Sequence, residues 1–176
     1  MLNETIQKLI IHKDLTTVVF NDSDSSEVTG YFIKESDNLI LMQLVTDSGL
    51  SDGYTLFEPE LVQDLMWGTR ALSSIDRLFQ QKSKVEAIYL GADAWHEVIV
   101  EISHMHGLIA FYNMEDESCF DVGLVLMHDE EWLLLDALGS VETMSRFKKL
   151  IRSDNICRIE FDTPYLNDLN ELHSET

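Results

Sequence analysis

The sequence predicts a mainly β protein with flanking helices, an α+β fold, built from two similar halves. The first observation is a repeat: residues 121–138 follow residues 28–45 with their apolar positions in step, at a shift of 93 residues. The second is that short β-branched and aromatic segments alternate with polar turns in both halves. The third is a leucine stripe at helical spacing near the end of each half. The repeat predicts a first domain at 1–79, a linker at 80–92 and a second domain at 93–176.

Each half opens with a predicted helix. Apolar residues recur at helical spacing after Asn3 in the first half and after Asp93 in the second, and both residue types are favourable helix caps. Gly107 ends the second helix, because glycine readily adopts the left-handed conformation found just beyond helix ends.

Three strands follow in each half, and the second strand of each carries a glycine near its middle, Gly30 or Gly123, as expected where a strand bends sharply. The third strands are apolar on both faces for much of their length, which predicts that both lie at the centre of a packed sheet. We also expect Trp67 and Trp132 to be core residues. The predicted strands are 15–20, 27–34 and 39–45 in the first half, and 108–112, 120–127 and 132–138 in the second.

After a variable loop, at 46–53 or 139–147, each half is predicted to add a fourth strand, a single turn and a fifth strand. A closing helix then begins at a threonine cap, Thr69 or Thr163, ahead of apolar residues spaced three apart. Pro164 at the first helical position supports the second of these helices.

This order of elements resembles the Sm-like version of the SH3-type barrel. The residues that carry the resemblance are Gly30, the turn Ser36-Asp37-Asn38 before Leu39-Ile40-Leu41, and the segment from Phe57 to Val62. The second half has Gly123 and Asp129, with Glu131 in place of Asn38. The resemblance implies two small barrels in tandem.

Sm-like proteins typically form rings and bind RNA, so the resemblance implies a base contact by Asn38. A basic-glycine pair assists RNA binding in that family, but the matching turns here read Phe57-Glu58-Pro59 and Ile151-Arg152-Ser153. Two fused barrels suggest a tandem or dimer-like arrangement instead of a simple ring, and assembly with further copies of the chain stays open.

The formal charge of −20, from 12 basic and 32 acidic residues, argues against nucleic acid and anionic membranes as partners. The local exception is a cluster of four cations, which is either a solvated strand edge or an anion or RNA site: Arg146, Lys148, Lys149 and Arg152. No apolar run is long enough to span a bilayer and the N-terminus does not resemble a signal peptide, so we expect a cytoplasmic protein with Cys119 and Cys157 as unpaired thiols.

Metal and catalytic motifs are weak. His104 and His106 fall at the end of a predicted helix, where residues two apart point in different directions, and the acidic segment 22–27 lacks the glycine that a calcium loop requires. We therefore predict no metal, no cofactor and no enzyme activity. A metal-dependent enzyme using His104, His106 and His128 is the weakest alternative.

The leading hypothesis is a non-enzymatic binding or scaffold module that recognises protein. Loops on a rigid barrel commonly carry recognition, so the turn at Asp37 and Asn38 and the loop 47–54 are the first candidates, with Asp47, Asp52 and Tyr54 as its contact residues. The alternative is an RNA-associated Sm-like protein that uses Asn38 and the cluster from Arg146 to Arg152.

Overall fold

The computed structural model describes residues 1–21, 26–113, 116–139 and 145–174. The chain divides into two compact units, Met1–Tyr89 and Leu90–Thr176, called unit 1 and unit 2 below. The prediction of a mainly β chain with flanking helices is confirmed.

Unit 1 begins with a helix, continues through antiparallel strands and ends with a second helix. Its strand order is β5-β1-β2-β3-β4. The elements are α1 (Leu2–His12), β1 (Thr16–Phe20), β2 (Glu27–Glu35), β3 (Ile40–Val45), β4 (Ser51–Phe57), a 3-10 turn (Pro59–Leu61), β5 (Val62–Trp67) and α2 (Arg70–Lys82).

Unit 2 has the same sequence of elements. Its strands lie in the order β10-β6-β7-β8-β9, which matches unit 1 because β6 to β10 correspond to β1 to β5. Its strand β7 begins four residues before the predicted start at 120. The elements are α3 (Trp95–His106), β6 (Ile109–Asn113), β7 (Asp116–His128), β8 (Trp132–Leu138), β9 (Arg146–Arg152), a 3-10 turn (Ser153–Asn155), β10 (Ile156–Phe161) and α4 (Pro164–Ser174).

The glycines in the second strands are required by close backbone contact. A Cβ atom on Gly30 would lie 2.1 Å from the carbonyl oxygen of Gln43, and one on Gly123 would lie 2.9 Å from that of Asp136. Three residues further along, the pairing of each second strand with its neighbour is interrupted, between Phe32 and Lys34 in β2 and between Val125 and Met127 in β7. The strands therefore bend at equivalent places in the two units.

The closing helices begin in the same way. The side-chain oxygen of Thr69 accepts the backbone N–H of Leu72 at 3.2 Å, and that of Thr163 accepts the N–H of Leu166 at 3.2 Å. The residue before each threonine has a positive φ, 71° at Gly68 and 54° at Asp162. The caps predicted at Thr69 and Thr163 are confirmed, whereas those predicted at Asn3 and Asp93 are wrong, because α1 is capped by Met1 and α3 by Ala94.

The closing helices pack on matching apolar clusters. In unit 1 the cluster contains Leu15, Tyr31, Val45, Leu72 and Phe79, with Ile75 and Val85 packed against it. Unit 2 places leucines at the positions equivalent to five of these residues: Leu108, Leu124, Leu138, Leu166 and Leu169. The same positions therefore fill the space beneath the closing helix in each unit.

Tyr31 is the polar member of the unit 1 cluster, and its phenol donates a hydrogen bond to the carboxylate of Asp76. Burial, followed by this bond to Asp76, raises the pKa of Tyr31 well above its ordinary value. We expect Tyr31→Phe to lower the free energy of unfolding of unit 1 by about 1 kcal/mol at neutral pH, as is typical for one lost hydrogen bond.

That difference should depend on pH with a defined sign. Above about pH 10 the unfolded tyrosine loses its proton while the folded one keeps it. The contribution of Tyr31 is therefore complete below pH 10 and is lost as the pH rises towards its folded pKa. Urea unfolding of both proteins from pH 8 to 11 checks this, and a difference that stays constant over the range contradicts it.

None of the helices in the described residues combines the length and the apolar character that crossing a membrane requires.

Candidate functional site

The predicted recognition residues of unit 1 lie in two separate places. Asp37 and Asn38 are exposed in the turn between β2 and β3, where the Asp37 carboxylate accepts a hydrogen bond from the Asn3 side chain at 3.3 Å. Asp47 is exposed in the turn between β3 and β4. Because these turns lie at opposite ends of β3, a strand roughly 20 Å long, they do not form one site.

The predicted loop 47–54 is shorter than expected. Val45 pairs with Ser51, so β4 starts at Ser51 and includes Asp52 and Tyr54. Tyr54 is only 4% exposed and presents no contact surface. Asp52 is half-buried, and this burial raises the pKa of its carboxyl.

The four cations of β9 are compensated by carboxylates. Asp136 of β8 lies 2.9 Å from the Arg146 guanidinium and 3.0 Å from the Lys148 ammonium. The hydrogen bond from Lys148, and then that from Arg146, lowers the pKa of Asp136. These two cations and one carboxylate form a local network on the strand surface.

The other two cations pair separately. The Lys149 ammonium lies 2.7 Å from Asp121, and the Arg152 guanidinium lies 2.7 Å from Asp154. Side chains alternate along a strand, so Lys149 points to the face opposite that of Arg152. The cluster that is continuous in sequence is therefore divided between two faces in the structure.

The histidines of the weakest alternative occupy different surroundings. His104 and His106 lie in the last turn of α3, as predicted, and the His106 ring is 5.0 Å from the Phe161 ring. His128 ends β7, with its ring 6.2 Å from that of His96. Within the parts of the chain that the structure describes, no group of three or more His, Cys, Asp or Glu residues could hold a metal ion.

Two further predictions concern residues that the structure describes only in part. Residues 22–25 of the acidic segment 22–27 lie outside the described residues, and so does the side chain of Cys119. Cys157 is buried in β10, and its thiol donates to the carbonyl oxygen of Tyr112 at 3.4 Å.

The two third strands differ in a way that the sequence did not predict. All of β3 is buried, as predicted, whereas burial alternates along β8. Leu133, Leu135 and Ala137 are buried on one side of β8, and the opposite side is only half-buried. The prediction that both faces of β8 are covered is therefore wrong.

This second side of β8, together with its neighbours on β7 and β9, is called the β8 outer face. Its residues are Leu124, Met127, Trp132, Leu134, Asp136, Leu138, Arg146, Lys148, Leu150 and Arg152.

An apolar group lies at the centre of the β8 outer face. Leu134 pairs with Met127 on one side and with Leu150 on the other, so their side chains are adjacent. Met127 is 67% exposed and Leu150 is 58% exposed. Next to them, the Arg152 guanidinium lies 5.5 Å from the centre of the Trp132 ring, where a cation–π contact is favourable.

Unit 1 buries the two leucines equivalent to Leu134 and Leu150, and it has Lys34 in place of Met127. Leu41 pairs with Leu56 in the same register in which Leu134 pairs with Leu150, and both unit 1 residues are fully buried. The exposed group thus belongs to unit 2 and is not a general property of the repeated fold.

A period of two along β9 could have revealed this face. Side chains of a strand point to its two faces in turn, so every second residue lies on one face. On β9 that face carries Arg146, Lys148, Leu150 and Arg152. Because the leucine shares its face with three cations, it is expected to point towards solvent. The prediction that Trp67 is a core residue is also wrong, because Trp67 lies on β5 and is 47% exposed.

No family model matches this chain, and a search of curated proteins finds no significant similarity.

Proposed function

We propose that the chain is a non-enzymatic binding or scaffold module that recognises a protein through the β8 outer face. The observation that carries the proposal is the apolar group of exposed Met127 and Leu150 with half-buried Leu134 between them. Exposed apolar groups rimmed by polar residues are typical of protein contact sites. Methionine, tryptophan and arginine, which this face also carries at Met127, Trp132 and Arg152, are residue types enriched at protein interfaces.

The proposal includes the fold family. Each unit is taken as an Sm-like, SH3-type small barrel, which is supported by the opening helix, the bent second strand with its glycine, and the single turn before the last strand. The RNA-binding alternative has less support, because Asp136, Asp121 and Asp154 offset three of the four positive charges of β9 and leave one at Arg146 and Lys148. An overall charge of −20 also repels a phosphate backbone.

The test is a comparison of variants in partner capture. The tagged chain is isolated, after crosslinking, from cells that produce it naturally, in its wild-type form and as Leu150→Asp and Met127→Asp. A buried aspartate at an interface centre costs binding free energy well above 1.4 kcal/mol, so we expect at least roughly a tenfold loss of the captured protein with each variant.

Ile11→Asp is the matched control, because Ile11 is 72% exposed on α1 of unit 1 and lies outside the β8 outer face. It should capture the same protein as the wild type. Thermal unfolding should be nearly unchanged in all three variants, since each replaced side chain is exposed. Equal capture by the wild type and both unit 2 variants would contradict the proposal, and so would the recovery of RNA alone.

A further inference from the structure

Unit 1 covers part of its own third strand with the segment 83–89, which follows α2. Gln43 of β3 is only 2% exposed, and its side-chain oxygen accepts the backbone N–H of Glu86 at 2.8 Å. Its side-chain nitrogen donates to Ser51 at 3.1 Å and to the carbonyl oxygen of Lys84 at 3.5 Å. One buried side chain thus holds an extended segment by both a backbone donor and a backbone acceptor.

Val85 fixes the same segment from the apolar side. It packs against the cluster that contains Tyr31, Val45 and Phe79. Tyr31 and Val45 are almost fully buried, at 1% and 6% exposure. The segment therefore supplies one apolar side chain to the cluster and backbone groups to Gln43.

The described residues cover the equivalent place on unit 2 less completely. Leu124 and Leu138, which match Tyr31 and Val45, are only partly buried at the edge of their cluster. An apolar slot that unit 1 fills with Val85 is thus left partly exposed in unit 2.

The polar groups beside this slot are changed in a defined way. By strand register, Asp136 takes the place of Gln43, Lys148 the place of Tyr54 and Arg146 the place of Ser51. Asp136 can still accept a backbone N–H, because each carboxylate oxygen has more than one acceptor site. Two cations now border the position that Glu86 occupies in unit 1.

We infer that this part of the β8 outer face binds an extended segment of a partner protein in which an apolar residue is followed by an acidic one. The apolar side chain packs on Leu124 and Leu138, and the acidic side chain lies beside Arg146 and Lys148. The backbone N–H of the acidic residue binds Asp136, as that of Glu86 binds Gln43. This inference rests on the proposed function, because it names the partner class for the same face.

The probe is a synthetic, end-blocked peptide with the sequence of residues 83–89, Ser-Lys-Val-Glu-Ala-Ile-Tyr, added to the full-length chain. Binding is followed through the backbone amide resonances of β8 and β9 in two-dimensional NMR spectra. We expect saturable shifts at Leu134, Asp136 and Lys148, with a dissociation constant on the order of 0.1–1 mM for so short a peptide.

Two changes should each weaken binding by roughly tenfold or more, about 1.4 kcal/mol, because the first removes the apolar contact and the second replaces attraction of the acidic residue by repulsion. One is the peptide with aspartate in place of the valine, and the other is Lys148→Glu in the protein. Lys8→Glu is the matched control, because Lys8 is exposed on α1 and its reversal changes the net charge equally. It should bind the unchanged peptide as the wild type does.

The inference is overturned if no saturable shift occurs, if the valine and aspartate peptides bind equally, or if the shifts are confined to unit 1. In those cases a loss of partner capture by Leu150→Asp would still support the proposed function, with a partner of another shape. If Leu150→Asp and Met127→Asp leave capture unchanged, the proposed function itself fails.

Discussion

Gly30→Ala is expected to destabilise unit 1 by about 3 kcal/mol or more, at or beyond the upper end of what an inserted methyl group usually costs. The added Cβ atom would lie 2.1 Å from the carbonyl oxygen of Gln43. That oxygen belongs to the backbone of β3, which pairs with β2 along its length. Neither atom can rotate away, so the strands must separate at the bend.

The matched control is Gly123→Ala in unit 2, where the same Cβ atom would lie 2.9 Å from the carbonyl oxygen of Asp136. A shift of a few tenths of an ångström relieves most of that contact, and we expect a loss of about 1–2 kcal/mol. Amide hydrogen exchange measures the two units separately through their own central strands. Equal losses in the two variants would contradict the account.

Phe79→Ala is expected to lower the free energy of unfolding of unit 1 by about 4 kcal/mol, within the range for a phenylalanine removed from a packed core. Phe79 is fully buried, and its ring centre is 5.1 Å from that of Tyr31. The variant leaves a cavity between α2 and the sheet. Because Val85 packs against the same cluster, the amide of Glu86 should also lose its protection from exchange.

Leu78→Ala is the control for Phe79→Ala, since it changes the preceding residue of the same helix and Leu78 is 38% exposed. Its expected loss is about 1 kcal/mol, and Glu86 should keep its protection. Hydrogen exchange measures both effects in one experiment. A small loss for Phe79→Ala would show that the cluster is not the core of unit 1.

The order of elements could be predicted because its signals are local. Thr69 and Thr163 mark helix starts through hydrogen bonds to residues only three positions away. Gly30 and Gly123 mark bends through the absence of a side chain. Each of these patterns occupies only a few consecutive residues. Because the two halves repeat, each pattern occurs twice in the chain and the second occurrence supports the first.

The coverage of a strand could not be predicted in the same way. Residues 39–45 and 132–138 both show apolar side chains on two faces, yet β3 is buried on both and β8 on one. Part of the difference comes from the segment 83–89, in which Glu86 binds Gln43 from 43 residues away in the chain. Nothing near Leu134 in the sequence indicates whether such a segment is present.

The candidate site was missed for a related reason. Cations that are close in sequence predicted an anion site. In the structure these cations form ion pairs with Asp121, Asp136 and Asp154. The first two of these carboxylates lie on other strands. Leu150 lies between Lys149 and Ile151, and nothing in so short a window distinguishes an exposed leucine from a buried one. Its exposure follows from the alternation of side chains along β9.

The position of β9 at one end of the strand order of unit 2 has a consequence for solubility. A terminal strand offers backbone groups to any passing chain, and an apolar face beside it makes association into fibrils more favourable. Lysine and arginine along β9 oppose the approach of another copy of that strand by like-charge repulsion. The net positive charge left beside Asp136, where Arg146 and Lys148 share one carboxylate, therefore disfavours self-association at this edge while Leu150 and Met127 stay in contact with water.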